Sequence, residues 1–325
     1  MSTDTVATES DGTEPMPKPR KRTVRRAHGL AGWAFLLPAL LVYVIFLVYP
    51  MIRSLLGSLW DWRGMRAQSF TGLDNFTRLF SGQNADLVTN AFWHNVLWFI
   101  GVLVVQNMIG LLLAYILFVR GARWTFFQNW FFFPAILSPV LVGALWRLIL
   151  TPDGPLDGVL MGMGITSEPL TLLGNGSTAL WVLIAVDIWN WIGLPILVFL
   201  AGLNALNPEI FEAARLDGAS SGRTLFQIAV PLVTPSVTTL AVLSFINSFN
   251  QFDIVYVMQG VQGGPNFATD TLVTFFYRLA FGAQGSVGIT DVGLAMALGA
   301  ILFIFMTAVS GMALRFFNKR AEMIQ

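Results

Sequence analysis

The chain has 325 residues, 55% of them hydrophobic and only 11% charged, with a formal net charge of +1 and a mean hydropathy of +0.67. Soluble domains carry about 25% charged residues, so this composition excludes an ordinary soluble fold and points to a polytopic membrane protein. Cysteine is absent, which rules out disulfides, thiolate metal sites and cysteine nucleophiles; the two histidines, His28 and His94, are too far apart in sequence to build a His-rich metal site.

In chain order, residues 1–28 come first: polar, proline-containing and low in large apolar types, hence a disordered tail. The tail carries Lys18, Arg20, Lys21, Arg22, Arg25 and Arg26. A six-span domain is expected over 29–325, because a helix needs about 20 apolar residues to cross a bilayer core. Six runs meet that length: 30–52, 96–119, 125–146, 179–203, 236–259 and 292–314. In lipid every backbone polar group must be satisfied internally, so each run is expected to be helical. The first run exceeds the roughly 7–15 residues of a signal-peptide core and is expected to remain uncleaved. With the tail cytoplasmic, six crossings return the C-terminus to the same side. Arg120, Arg123, Arg215, Arg223, Arg315, Lys319 and Arg320 then lie inside as well, which satisfies the positive-inside bias.

Between the first two runs, residues 53–92 hold Trp60 and Trp62, with Trp93 just beyond, and these suit a headgroup belt. Gly72-Leu73-Asp74-Asn75-Phe76 reads as a turn into a short helix lying on the membrane. The fourth run contains Asp187, Asn190 and Trp191, then Gly193-Leu194-Pro195. Gly and Pro break a helix locally and bare carbonyls to a cavity. An acid inside a membrane is a functional candidate by default. Asp187 either faces a wet vestibule or pairs with an arginine such as Arg147, and pairing is the preferred reading.

The stretch 204–235 is polar and reads as helix, turn, helix. Asn207 caps and Pro208 takes the first helical position; Glu209 and Glu212 follow near the positive end of the helix dipole. Gly218 stands where the helix ends. Ser220 or Ser221 caps a second helix through Val230, which Pro231 and Pro235 break before the fifth run. The small Ala213-Ala214 pair allows another surface to approach closely.

On the fifth run Ser244, Asn247, Ser248 and Gln251 recur at i, i+3, i+4, i+7, one face of a helix. Counted at 1.5 Å per residue from Ser236, that stripe spans roughly 12–22 Å of depth and brackets the midplane. Amide side chains match the donors and acceptors of sugar hydroxyls, and Phe245 and Phe249 flank the stripe. The alternative is that these groups bond to neighbouring helices, as polar side chains in membrane bundles commonly do.

Glu212-Ala213-Ala214, Gly218 and Ile228-Ala229-Val230-Pro231 stand at the spacing of the coupling loop of permeases from binding-protein-dependent ABC importers, and the chain resembles that family over nearly its whole length. Val230 for the usual Leu is the one departure. The resemblance implies an all-α membrane protein with six transmembrane helices, both termini cytoplasmic and the type I ABC importer permease fold. It also implies that the first loop helix inserts into a groove on an ATPase subunit. Glu212 would make the polar contact, Ala213 and Ala214 the packing surface, Gly218 the turn, with Asp217 beside it.

A second set of residues is similar to carbohydrate-type permeases of the maltose and glycerol-3-phosphate kind. It comprises Gly263-Gly264-Pro265, Ala268-Thr269, Leu272 through Tyr277, and Ala280-Phe281, with Leu36-Leu37-Pro38 and Tyr49-Pro50 in the first run. Trp191-Ile192-Gly193-Leu194-Pro195 also has a counterpart there, and in the maltose system this part of the fifth span lines the sugar path. The implied partners are a second, homologous permease, two ATPase subunits, an extracytoplasmic solute-binding protein and the bilayer of a bacterial inner membrane, with no nucleic acid. Lys18, Lys21 and Lys319 follow no glycine-rich loop, so this chain lacks a P-loop. It is expected to be no enzyme and to hold no cofactor, ATP and Mg being bound by the ATPases. The competing reading is a secondary, ion-coupled transporter, for which Asp187 and the Gly193–Pro195 break speak. Within the importer reading, a non-sugar solute stays open.

Overall fold

The computed structural model describes residues 28–64, 66–121, 125–282 and 290–322. Residues 1–27 of the basic tail, and Arg123, lie outside the described residues. Two compact units divide after Met51. The first holds the helix His28–Tyr43, with Pro38 inside it, and the π-turn Val44–Val48. Its large apolar side chains between Phe35 and Leu47 are exposed, as lipid-facing groups are.

In the second unit an antiparallel hairpin pairs Trp60–Arg63 with Arg66–Phe70. The expectation of helices alone missed it. Trp60 meets Phe70 edge-on at 5.7 Å, and Trp62 Nε1 donates to the Gly57 carbonyl at 2.9 Å. The Gly72 turn leads into the short helix Asp74–Leu79. Buried Asn75 ties that helix to the hairpin, its Nδ2 donating to Ser58 O at 2.8 Å and Trp60 O at 2.9 Å.

Among the described residues three helices are long and apolar enough to cross a bilayer: Phe35–Gly57, Gly82–Arg120 and Val292–Arg315. Three bent pairs raise the number to as many as six if each pair is one span. The second long helix begins at Gly82, where the expected run began at 96. The reason is its first turns, Gly82 to Asn95, which are amphipathic and fall below any hydropathy threshold.

The third run, expected to be continuous, is cut into Thr125–Ile136 and Pro139–Ile149, with a 98° bend between Asn129–Ile136 and Pro139–Ile149. Pro139 is the cause: a residue before proline is driven out of the helical region, and Ser138 lies at φ −60°, ψ 137°. The fourth run bends by 47° between Ala179–Trp191 and Gly193–Asn204, at the Gly193-Leu194-Pro195 break read from the sequence.

The fifth run departs furthest. Its helix is Thr234–Phe249 and stops there; residues from Asp253 form a separate helix, Asp253–Gln259. The last carbonyls of a helix and of the residues just after it need outside partners, and here other elements supply them. Asn95 Nδ2 donates to Ser248 O at 2.6 Å, and Thr271 Oγ1 donates to Gln251 O at 2.7 Å. The second loop helix also runs further than expected, Ser221–Leu232, and bends by 74° into Thr234–Phe249. Pro231 does not end it, because the π-turn Thr224–Ala229 widens the helix just ahead of the ring.

The buried side chains form three clusters along the bundle. One, around Phe199, Leu203, Phe211 and Leu225, joins the 204–235 loop to the spans. A second surrounds Trp98, Leu183 and Ile254. The third gathers Phe245, Phe249, Phe275 and Leu298. At the far end from the loop, Asp270 is fully buried and pairs with Arg278 at 2.6 Å, a cation also stacked against Phe267 and Phe275. Sequence reading did not find this pair.

Candidate functional site

Two regions carry chemistry: a polar cavity inside the bundle and the 204–235 loop at one end.

The cavity forms where three helices are each interrupted. The Gly82–Arg120 helix has a π-turn at Val102–Gln106, the fourth run breaks at Ile192, and the fifth ends at Phe249. The breaks in the fourth and fifth runs each free a carbonyl that a side chain meets. Pro195 has no N–H for the carbonyl four residues earlier, Trp191 O. Gln106 Nε2 fills that place at 3.1 Å. The site is therefore built by irregular backbone around an enclosed space, the only setting in which such backbone is tolerated at membrane depth.

Its centre is Asp187, 4% exposed. Oδ2 accepts from Trp98 Nε1 at 2.7 Å and from Gln251 Nε2 at 2.8 Å. This corrects the expected pairing with Arg147, whose Nη1 donates instead to Val257 O at 3.1 Å. Arg147 is carried on the Pro139–Ile149 helix, and the Val257 carbonyl takes its guanidinium. The other oxygen, Oδ1, has no partner among the described residues, and neither have Asn107 Oδ1 and Ser248 Oγ. All three residues line one cavity of about 30 Å³. A water needs about 10–15 Å³ by that measure, so the space suits roughly two waters and no sugar ring.

Of the eight residues singled out as a candidate substrate path in the fourth and fifth runs, the structure brings six to this cavity, Asp187, Trp191, Ser244, Asn247, Ser248 and Gln251, and leaves out Asn190 and Gly193. Gln251 does not arrive as the fourth member of a helical stripe. It lies beyond the helix end and reaches the cavity through its bond to Asp187. Asn247 is exposed, and its side chain makes no hydrogen bond to another described residue. The remaining two residues serve helix packing. Asn190 is fully buried and its Nδ2 donates to Pro134 O at 2.6 Å. Gly193 lets two backbones touch: a Cβ there would lie 2.9 Å from Phe131 O and 3.1 Å from Phe132 Cα.

Sequence reading missed Trp98, Gln106 and Asn107. A signal for the last two was present, two consecutive amides inside an otherwise apolar run. Asn107 Nδ2 donates to Ser244 Oγ at 3.3 Å and so joins the second long helix to the fifth.

The loop folds as helix, turn, helix. Asn207 Oδ1 accepts from Glu209 N at 3.1 Å and opens the helix Pro208–Leu216. Gly218 closes it at φ +73°, with Ala219 N bonded to Ala214 O at 2.9 Å and Gly218 N to Arg215 O at 3.1 Å. That is the Schellman pattern, which needs a left-handed residue at this position. Ser220 Oγ accepts from Arg223 N at 3.4 Å at the start of the second helix.

The first helix has two faces. Phe211 and Ala214 are buried in this chain's own core, Phe211 against the Phe118 ring at 4.9 Å. The expected packing pair is thus divided: Ala214 faces inward because it lies three residues from Phe211, on the same face. The outward face carries Glu212, Ala213, Asp217 and a residue that sequence reading passed over, Leu216, which is 89% exposed.

With this geometry in hand, comparison with known proteins is informative. A family described as "Binding-protein-dependent transport system inner membrane component" matches residues 106–323. The multiple sugar-binding transport system permease protein MsmF of Streptococcus mutans is 29% identical over 89% of this chain and 95% of its own. The lactose transport system permease protein LacF of Rhizobium radiobacter is 30% identical over 80% of this chain and 87% of its own. Among solved structures, a bacterial alginate ABC transporter, in complex with an alginate pentasaccharide-bound periplasmic protein, aligns with a TM-score of 0.73. It is 24% identical, covering 91% of this chain and 96% of that one. The fold is that of ABC importer permeases, and the 106–323 match takes in most of the cavity lining, the capped loop and the last span. This chain belongs to the family of binding-protein-dependent transport system inner membrane components.

Proposed function

We propose that this chain is one of two permease subunits of an ATP-driven bacterial importer and moves a sugar or oligosaccharide across the inner membrane by alternating access. The observation that carries the reading is the pairing of an outward-facing, capped loop helix with an internal cavity of amides, hydroxyls and one carboxylate. The sugar relatives supply the substrate class. A loaded binding protein docks on the outer side and two ATPases close on the inner side. ATP and Mg belong to those ATPases.

Mechanically, the Pro208–Leu216 helix offers Glu212, Ala213 and Leu216 to an ATPase groove. Its inner face, through Phe211, belongs to the same buried cluster as Phe199 and Leu203 of the fourth run. A displacement of the loop is therefore transmitted through close-packed side chains to the Gly193–Asn204 helix, next to the break that borders the cavity. Packed interiors transmit such shifts because they have little free volume. One loop per chain calls for two permeases to engage two ATPases, the second being a homologue. The cavity of about 30 Å³ is a closed form, and passage of a sugar requires the second long helix, the fourth run and the fifth to part.

Uptake into proteoliposomes tests this. With binding protein, both permeases and ATPases present, labelled sugar accumulates only with ATP. Accumulation driven by a proton or sodium gradient without ATP would replace this reading with the secondary transporter.

A further inference from the structure

Four aromatic rings gather immediately beyond the end of the fifth-run helix, away from the loop. Phe252 stacks on Tyr256 at 5.1 Å with 26° between planes. Tyr277 meets Phe252 at 5.1 Å, Tyr256 at 5.6 Å and Phe281 at 4.9 Å. The first three are half-buried and Phe281 is exposed, so the cluster is anchored on one side and open on the other. Neither phenol hydrogen-bonds to another described residue.

The cluster is fixed to the cavity by four hydrogen bonds. Phe252 directly follows Gln251, whose side chain holds Asp187. The Gln251 carbonyl accepts from Thr271, and Thr271 caps Leu272–Phe281, the helix that carries Tyr277 and Phe281. Asn95 accepts from Leu272 N at 2.9 Å and donates to Ser248 O. Membrane-belt aromatics sit at the headgroup level. Four rings in a contacting chain, tied to a polar cavity, form instead a partly exposed aromatic surface with two hydroxyls that bond to no other described residue. A pyranose requires that combination, ring faces for its C–H surface and hydroxyls for its own.

We propose that Phe252, Tyr256, Tyr277 and Phe281 form an entry subsite for a sugar ring, which hands the ring past Gln251 to the cavity. The inference rests on the importer reading above.

The chain has five tyrosines, so 3-fluorotyrosine labelling gives a fluorine spectrum that Tyr256→Phe and Tyr277→Phe assign. The full chain in lipid nanodiscs is titrated with lactose, maltotriose and, as an acyclic control, sorbitol. The expected result is a saturable shift of the Tyr256 and Tyr277 signals with at least one sugar and none with sorbitol, while buried Tyr115 stays put. Phe252→Leu weakens half-saturation roughly three- to tenfold, the range of one lost aromatic contact. Unmoved signals overturn the proposal, as do signals that follow lipid headgroup exchange or addition of the second permease but no sugar. Asn247→Leu, in the cavity, leaves the shifts intact. Sugar uptake with unmoved rings rejects this subsite alone; ring shifts without ATP-driven uptake in the assembled complex reject the importer reading alone.

Discussion

Asp187 and Gln251 stand 64 residues apart in sequence and share a 2.8 Å hydrogen bond, with Trp98 donating to the same carboxylate oxygen. Three separate chain segments thus meet at one buried acid whose other oxygen has no partner among the described residues.

That arrangement separates Gln251 from Asn247. Gln251→Leu removes one donor to the acid and lowers thermal stability by about 0.6–1.7 kcal/mol, the range for interhelical hydrogen bonds in membranes. Asn247→Leu removes no protein bond and leaves melting unchanged. Both variants assemble and both alter uptake kinetics. Normal kinetics in both would reduce the polar stripe to helix packing.

The Schellman turn makes a sharp chemical prediction. Gly218 sits at φ +73° with open space around the position of a Cβ, so backbone conformation alone decides what it tolerates. Gly218→Val costs on the order of 1–2 kcal/mol locally and misdirects the loop, giving ATPase activity without transport in protein that still inserts. Gly218→Asn, which accepts a left-handed backbone, keeps coupling. Equal behaviour of the two in a coupled ATPase and uptake assay would contradict the turn's role.

Leu216 is apolar and 89% exposed. Full burial of a leucine stabilises by about 1.5–3 kcal/mol, so Leu216→Ala weakens association with the ATPase roughly tenfold and Leu216→Asp more. Sedimentation or surface-based titration of detergent-solubilised subunits measures it. Unchanged affinity would remove Leu216 from the interface.

The Asp270–Arg278 pair predicts asymmetry. Arg278→Met leaves a buried carboxylate unpaired and destabilises by about 3–5 kcal/mol, whereas Asp270→Asn combined with Arg278→Met costs clearly less. Thermal unfolding of both variants in nanodiscs decides; equal losses would show that the charge itself is immaterial.

Much of the fold was legible because apolar length and turn chemistry are local. The Asn207 and Gly218 caps and the Gly193-Leu194-Pro195 break are each determined by a few adjacent residues. The end of the fifth-run helix was not legible, since the Ser248 carbonyl in its last turn and the Gln251 carbonyl just beyond it are taken by Asn95 and Thr271, both remote in sequence. Asp187 was recognised as a candidate from its depth alone, but its partners Trp98 and Gln251 follow from tertiary packing. Ala213 and Ala214 were read as one surface; the structure shows Ala214 buried beside Phe211 and Ala213 exposed. Ser138 before Pro139 did carry a local signal for the bend in the third run, and the length of the apolar run masked it.

The central claim, that the Pro208–Leu216 helix is gripped by an ATPase, is open to direct measurement because the chain has no cysteine. Ala213→Cys introduces one thiol on the outward face and Ala214→Cys one on the buried face. With a short bifunctional thiol reagent and an ATPase carrying engineered cysteines around its groove, Ala213→Cys is predicted to cross-link in the assembled complex, with a yield that changes on ATP binding, and Ala214→Cys to stay uncoupled. Cross-linking absent at 213 in an assembled, ATP-hydrolysing complex would contradict the account.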